Sequence, residues 1–411
     1  MLLSPEDRLL LSVVKIHPTQ DDLQQIDDLL PQITDWETFT RLLIAHGSGP
    51  LFYKKIPLLL NAQLIPLEVK AKLQQAYYRT LIRSTILYEA FRQIGEELQK
   101  NGISFIALKG IYLSEVVYGD IALRQFSDID ILIPEMLGKK TLAVLQNIGY
   151  KPWEQHGIIS NFVTEHSDFV HYTPMQKGDI SVEVHIKLHS QSNQYKLSIP
   201  DIWERAEDSN IHKQGVKVLS LEDLLMHLCI HADKHFTVGH IQLKSFNDIV
   251  NLLDTLKSGF DWERFESMCL QYKCEKIVFK YFVLLVRYYQ AYLPEKLFEK
   301  YACCLTIETE KLFIDYLHGE SFEVNNKSAV PTHINSLRNM KSSKLFIIYL
   351  IEVLFPPKSF MMQKYNPQPL KGCKNSPLGV RGKYWWLWYS YRWWVGVKGL
   401  FYIIGNSISK K

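Results

Sequence analysis

The chain has 411 residues, 47% of them hydrophobic and 22% charged, which excludes intrinsic disorder and leaves room for two or three domains. Net charge is only +4, yet 13 Lys and Arg against one acid, Glu352, fall between Arg338 and Lys411, leaving 34 basic and 42 acidic residues elsewhere. A basic tail on an acidic body points to an anionic surface as partner. The six cysteines show no CxxC pair and read as reduced thiols of a cytoplasmic protein. The start, "MLLSPEDRLLLSVVK", lacks the basic opening and cleavage site of a signal peptide and reads as a helix with Ser4 as N-cap and Pro5 at its first position.

Residues 1–99 carry helix-period apolar patterns, as in "AKLQQAYYRTLIRSTILYEAFRQIGEELQK", broken by "HPTQDD" and "KKIPLLLNAQLIP". From Ile103 the texture changes. "ISFIAL" is a short β-favouring run, "KGIYLSEVVYGD" opens with Lys109 and Gly110 and reads as a short helix, and "FSDIDILI" is the next strand. Side chains alternate across a strand, so Asp128 and Asp130 share one face while Ile129, Ile131 and Ile133 fill the other. Two like charges side by side repel, and a divalent cation is the simplest missing partner.

"KKTLAVLQNI" reads as a helix ended by Gly149, and "DFVHYTPMQKGDISVEVHIKL" as a hairpin turning at Lys177, Gly178 and Asp179. Its second strand places Val182, Val184 and Ile186 on one face and Ser181, Glu183 and His185 on the other. A third carboxylate therefore joins the first two if the strands are neighbours. The strand-to-helix turn at Lys109 and Gly110 supplies free amides and a formal positive charge for a phosphate, and Arg124 is within reach of the same pocket.

After Leu219 the chain returns to helices, among them "SLEDLLMHLCIHADKHF" and "FNDIVNLLDTL". His227, His231 and His235 form one helix stripe. No "HExxH" glutamate or further ligand shares it, so a wall of the cleft holding base or acceptor is the preferred reading over zinc. Asp248 lines the same cleft or forms a helical ion pair with Lys244. His185 orients a ligand, acts as a general base or is a satisfied structural histidine, the last being the preferred reading.

These residues resemble the nucleotidyltransferases of the DNA polymerase beta superfamily, and the order "ALKG", "YGDIALRQFSDIDILI", "VEVH", "LEDLLMHLCIHADKH", "FNDIVNLLD" resembles an uncharacterised branch of it. The resemblance implies an α+β fold, a small mixed-sheet polymerase beta-like core embedded in a mostly helical chain. It also implies Mg²⁺, as two ions, on Asp128, Asp130 and Glu183, with Lys109, Gly110 and Arg124 at the nucleotide phosphates. The implied reaction moves a nucleoside monophosphate from a nucleoside triphosphate to a small-molecule, peptide or protein acceptor and releases pyrophosphate. In the superfamily pattern the glycine turn is Gly followed by Gly or Ser, about ten residues before the first acid; here Ile111 follows Gly110, which lies 18 positions before Asp128. "HGSG" at 46–49 reads as a turn.

The division expected is a helical region over 1–99, the nucleotidyltransferase core over 100–215, a helical domain over 216–355, and a Pro/Gly/Lys linker with a basic aromatic tail over 356–411. The 21 residues from Tyr384 to Ile404 contain Arg392 and Lys398, each costing about 2.5 to 3.5 kcal/mol near a bilayer centre, which argues against a membrane span. Peripheral contact with a membrane surface and packing onto the core remain equal readings of the tail. No nucleic-acid-binding module accompanies it. A catalytically silent protein that binds a nucleotide or partner and docks through this tail is the opposing reading.

Overall fold

Ser4 and Asp7 open the first helix, Pro5–Ser12, with a reciprocal capping box: the Asp7 amide donates to Ser4 Oγ at 3.1 Å and the Ser4 amide to Asp7 Oδ2 at 3.0 Å. The structure, a computed structural model, describes residues 3–153, 170–189, 195–237, 243–256 and 259–318. The expected linker and aromatic tail lie outside the described residues. Among the described residues no helix is long and apolar enough to cross a membrane.

Four short helices, Pro5–Ser12, Gln20–Leu29, Trp36–Ala45 and Gly49–Lys55, precede the 34-residue helix Leu67–Lys100, about 50 Å long at 1.5 Å per residue. The break at "HPTQDD" is itself a helix start, because Thr19 caps the Asp22 amide and Asp22 returns to Thr19. The Leu67–Lys100 helix lies on the sheet and buries Leu87, Tyr88, Phe91, Ile94 and Leu98.

Seven strands form one mixed sheet: β1 (Ile106–Ala107), β2 (Asp128–Leu132), β3 (Lys151–Pro152), β4 (Met175–Lys177), β5 (Ile180–His185), β6 (Glu207–Ile211) and β7 (Gln214–Val218), in the order β3-β4-β5-β2-β1-β7-β6. The fold is mixed α+β, as the sequence predicts. β2 is flanked by β1, antiparallel, and β5, parallel. A parallel pair needs a crossover, and the helix Gly138–Asn147 supplies part of it. The expected hairpin is β4–β5, with Gly178 at φ +59° in its turn. A second hairpin, β6–β7, has no glycine or asparagine signal because His212 and Lys213 take the positive φ values of its two-residue loop, 50° and 63°. β7 then pairs parallel with β1, extending the sheet beyond the two hairpin strands read from sequence.

After the sheet, the helices Leu221–Thr237, Lys244–Thr255, Trp262–Gln271 and Glu275–Tyr289 enclose an aromatic core in which Phe246, Phe265, Phe279, Tyr281 and Phe282 are fully buried. Cys229, Cys269 and Cys274 are free thiols buried in this layer.

Candidate active site

The register of β2 on β5 sets Asp128 opposite Ser181, Asp130 opposite Glu183 and Leu132 opposite His185. Paired residues of adjacent strands project to one face, so the expected alternation brings Asp128, Asp130, Glu183 and His185 onto a single sheet face. Ile129, Ile131, Val182 and Val184, on the other face, are completely buried. Arg83, from the long helix, fixes the approach to β2: its Nη2 donates to the carbonyls of Ser127 at 3.0 Å and Asp179 at 2.7 Å.

The tightest group on this face is Asp130, Glu183 and His185, whose donor atoms all lie within 4.8 Å of one another. His185 Nε2 lies 2.9 Å from Asp130 Oδ1 and 3.4 Å from Glu183 Oε2. Sequence reasoning placed His185 beside the acids as an accessory; the structure makes it part of the closest trio, while Asp128 stands at the outer end of the row. Ser127 Oγ donates to Asp128 Oδ1 at 3.2 Å.

Burial and then the neighbouring Asp130 and Glu183 charges push Asp128 up to about 6. Burial pushes on Asp130 as well, but the Lys109 ammonium and the His185 imidazole outweigh it and hold that carboxyl below its ordinary range. His185 is driven down by burial, yet its bonds to the two carboxylates carry it above its usual value. Crowded acids of which one resists ionisation are a donor set short of positive charge, and three carboxylates suit a hard divalent cation.

Lys109 Nζ lies 3.6 Å from Asp130 Oδ2, and the residue adopts φ +40°, an uncommon conformation for a side chain other than glycine. Gly110 follows because no larger residue fits: a Cβ there would stand 2.9 Å from the Phe126 ring. The helix expected here begins at Lys109 as Lys109–Tyr112.

Residues 32–290 match a family model described as uncharacterised nucleotidyltransferase. The chain belongs to that family. It is an enzyme of nucleotidyl transfer, and Asp130, Glu183 and His185 on its sheet face are a group that could hold a metal ion. No curated protein matches the chain. Among solved structures it is similar to the solution structure of the antibiotic-resistance factor ANT(2'')-Ia, with 13% identity over 46% of this chain and 91% of that one and a TM-score of 0.33. A crystal structure of ANT(2'')-Ia in complex with adenylyl-2''-tobramycin gives 14% identity over 45% and 95%, also at 0.33.

In this nucleotidyltransferase the residues expected around the acids are distributed differently. The Arg124 guanidinium is committed to Asp248, with Nε on Oδ1 at 2.8 Å and Nη2 on Oδ2 at 2.7 Å, and Tyr118 Oη donates to the same Oδ1 at 2.9 Å. Asp248 is therefore a buried counter-ion to Arg124 and forms no ion pair with Lys244. The long sequence separation of Arg124 and Asp248 hid this pair, while the four-residue spacing of Lys244 and Asp248 suggested a local one.

The histidine stripe is extended by His189. His227 Nδ1 lies 3.0 Å from His189 Nε2, and His231 Nε2 lies 3.2 Å from His235 Nε2. Burial holds His189, His227 and His231 well below their usual value, and the Lys109 ammonium adds to it. Four contiguous imidazoles, three of them held neutral, form a largely buried polar cluster that feels the Lys109 charge. Sequence reasoning missed Lys234, whose ammonium is lowered by burial and the Lys109 charge and raised by Glu183, and it placed Lys244 only in a pair with Asp248. Lys234 follows His227 by seven residues on one helix face, a spacing that could have drawn attention to it.

Proposed function

We propose that this enzyme catalyses Mg²⁺-dependent transfer of a nucleoside monophosphate from a nucleoside triphosphate to an acceptor hydroxyl or phosphate, releasing pyrophosphate. The observation that carries the reading is the in-register placement of Asp128, Asp130 and Glu183 on one face of two parallel strands. Mg²⁺ held by these three carboxylates, as one or two ions, would supply charge to the triphosphate oxygens and to the departing pyrophosphate.

The chain's own residues do the rest. Asp130, fixed between Lys109 and His185, keeps its charge and anchors the row. Lys109 and the turn at Gly110 attract the triphosphate electrostatically. Glu183, whose side chain is 24% exposed against 6% for Asp130, accepts the proton of the attacking hydroxyl as its oxygen bonds to the α-phosphorus and the bond to the pyrophosphate oxygen breaks. Of the imidazoles nearby, His231, held neutral by burial, and His235 are the ones that would offer polar contacts to the base or the acceptor.

Calorimetric titration of ATP, GTP, CTP and UTP in Mg²⁺ tests the reading. At least one triphosphate binds the wild type and is lost by an Asp128→Asn, Asp130→Asn double variant. Absence of binding by all four, or unchanged affinity in the double variant, would overturn it.

A further inference from the structure

Among the described residues, the one group of His, Cys, Asp or Glu side chains close enough for three of them to share an ion leaves out the first acid of the motif: it is Asp130, Glu183 and His185, without Asp128. Strand register gives the imidazole this place. His185 is the last residue of β5, pairs with Leu132, and its carbonyl accepts from the Ile133 amide at 2.9 Å, so its backbone is fixed at the end of β2. Its ring reaches the preceding cross-strand pair, with Nε2 between the carboxylates of Asp130 and Glu183. The His185 side chain is 4% exposed, so the nitrogen comes to the site already oriented by packing.

A hydrogen bond accounts for only part of this arrangement. Nε2 carries at most one hydrogen, and while Asp130 Oδ1 at 2.9 Å is well placed to accept it, Glu183 Oε2 at 3.4 Å lies beyond the roughly 3.2 Å usual for such a bond. A nitrogen lone pair turned to a shared cation serves all three atoms at once. Two ligand atoms about 2.1 Å from one ion stand about 3.0 Å apart at a right angle and about 3.4 Å apart at a tetrahedral one. The spacings of 2.9 and 3.4 Å match these values. Lys109 approaches Asp130 at the other oxygen, Oδ2, at 3.6 Å, and so leaves Oδ1 to the ion.

We propose that the ion seated at Asp130 is a first-row transition-metal dication, bound through Nε2 of His185 together with Asp130 and Glu183, while Mg²⁺ accompanies the triphosphate to the Asp128 end of the row. Two carboxylates balance the charge of such an ion, and the imidazole decides its identity. Carboxylate and water suit Mg²⁺, Ca²⁺ and Mn²⁺, whereas imidazole favours the later metals, for which affinity rises from Mn²⁺ to Co²⁺. Three carboxylates alone would favour a hard ion; replacing one of them by a buried nitrogen sets Mg²⁺ at a disadvantage. The use of the ion in catalysis rests on the nucleotidyl-transfer reading; its binding and its nitrogen ligand do not.

The test uses the full chain without nucleotide. Calorimetric titration with Mg²⁺, Mn²⁺ and Co²⁺ should rank wild type Co²⁺ over Mn²⁺ over Mg²⁺, with Co²⁺ at least about tenfold tighter than Mg²⁺. His185→Asn should weaken Co²⁺ about tenfold or more and leave Mg²⁺ nearly unchanged, and Asp128→Asn, outside the trio, should keep Co²⁺. Pulsed electron paramagnetic resonance of the Mn²⁺-loaded wild type needs no variant and should show the coupling of one directly bonded imidazole nitrogen. Mn²⁺ without that nitrogen coupling, Mg²⁺ bound as tightly as Co²⁺, or Co²⁺ affinity that falls with Asp128→Asn but not with His185→Asn would each overturn the proposal. A nitrogen-bound ion in a protein that binds no nucleoside triphosphate would keep the site and remove the nucleotidyl-transfer reading, and triphosphate binding with an ion lacking the nitrogen would do the reverse.

Discussion

His185 meets Asp130 and Glu183 through a single nitrogen, Nε2, at 2.9 and 3.4 Å, so one imidazole edge links the carboxylates of two neighbouring strands. This link separates the two aspartates electrostatically. Asp130, with Lys109 and His185 beside it, is held in its charged form, whereas Asp128, facing the charges of Asp130 and Glu183, is pushed up to about 6. Carboxylates on one face whose surroundings drive them apart are the mark of a site built for chemistry.

Asp128→Asn and Asp130→Asn should therefore abolish turnover alike while moving stability in opposite directions. Neutralising Asp128 in metal-free protein removes a repulsion and should stabilise by about 1–2 kcal/mol at pH 7.5. Neutralising Asp130 leaves Lys109 and His185 without their shared counter-charge and should destabilise. Urea denaturation in EDTA reads both signs; equal losses of stability in the two variants would make the acids structural.

Lys109 holds φ +40° without being glycine. Conformations of this kind cost about 1–3 kcal/mol and persist where surrounding structure enforces them. Lys109→Gly and Lys109→Met both remove the charge beside Asp130, so both should lose stability and at least tenfold in activity, but the glycine variant, relieved of the strain, should be the more stable of the two. A Lys109→Gly protein that melts well below Lys109→Met would show that the positive φ carries no strain.

The acid row was legible because it depends on one local rule, the two-residue period of a strand, which fixes the face of Asp128, Asp130, Glu183 and His185 from sequence alone. Their adjacency was legible only as a condition, since nothing in the order of residues requires β5 to lie parallel to β2. The β6–β7 hairpin escaped notice because His212 and Lys213 take a turn conformation that sequence reading assigns to glycine and asparagine. The pair of Arg124 with Asp248 is a product of tertiary packing between the core and a later helix, so its spacing carried no signal. The Lys244–Asp248 spacing even pointed to a local pair that Arg124 displaces.

Asp248→Asn tests that displaced pair. It leaves the buried Arg124 guanidinium without its counter-ion, and loss of one member of a buried ion pair costs about 3–5 kcal/mol. A loss of that size in urea denaturation is expected. A change below about 0.5 kcal/mol, the level of a surface substitution, would mean that the pair is hydrated in solution.

Buried neutral histidines set the acid limit of the fold. His46 has its Nε2 at 3.3 Å from the Leu317 carbonyl, and burial lowers it from 6.5 to about 4. His189, His227 and His231 are lowered in the same way. For such a group the unfolded chain takes up a proton first. Its contribution is therefore complete above about 6.5 and is lost as pH falls towards the folded value, by up to about 1.4 kcal/mol per pH unit for each histidine. Asp128 acts in the opposite sense between about 6 and 4, since the folded chain protonates it first. Comparing wild type with His46→Asn in EDTA between pH 7.5 and 5 isolates one histidine from these opposing contributions. The variant should start less stable at pH 7.5, having lost the bond to Leu317, and then decline more shallowly, so that the two curves converge at pH 5. Parallel curves would show that His46 accepts its proton as easily in the folded chain as in the unfolded one.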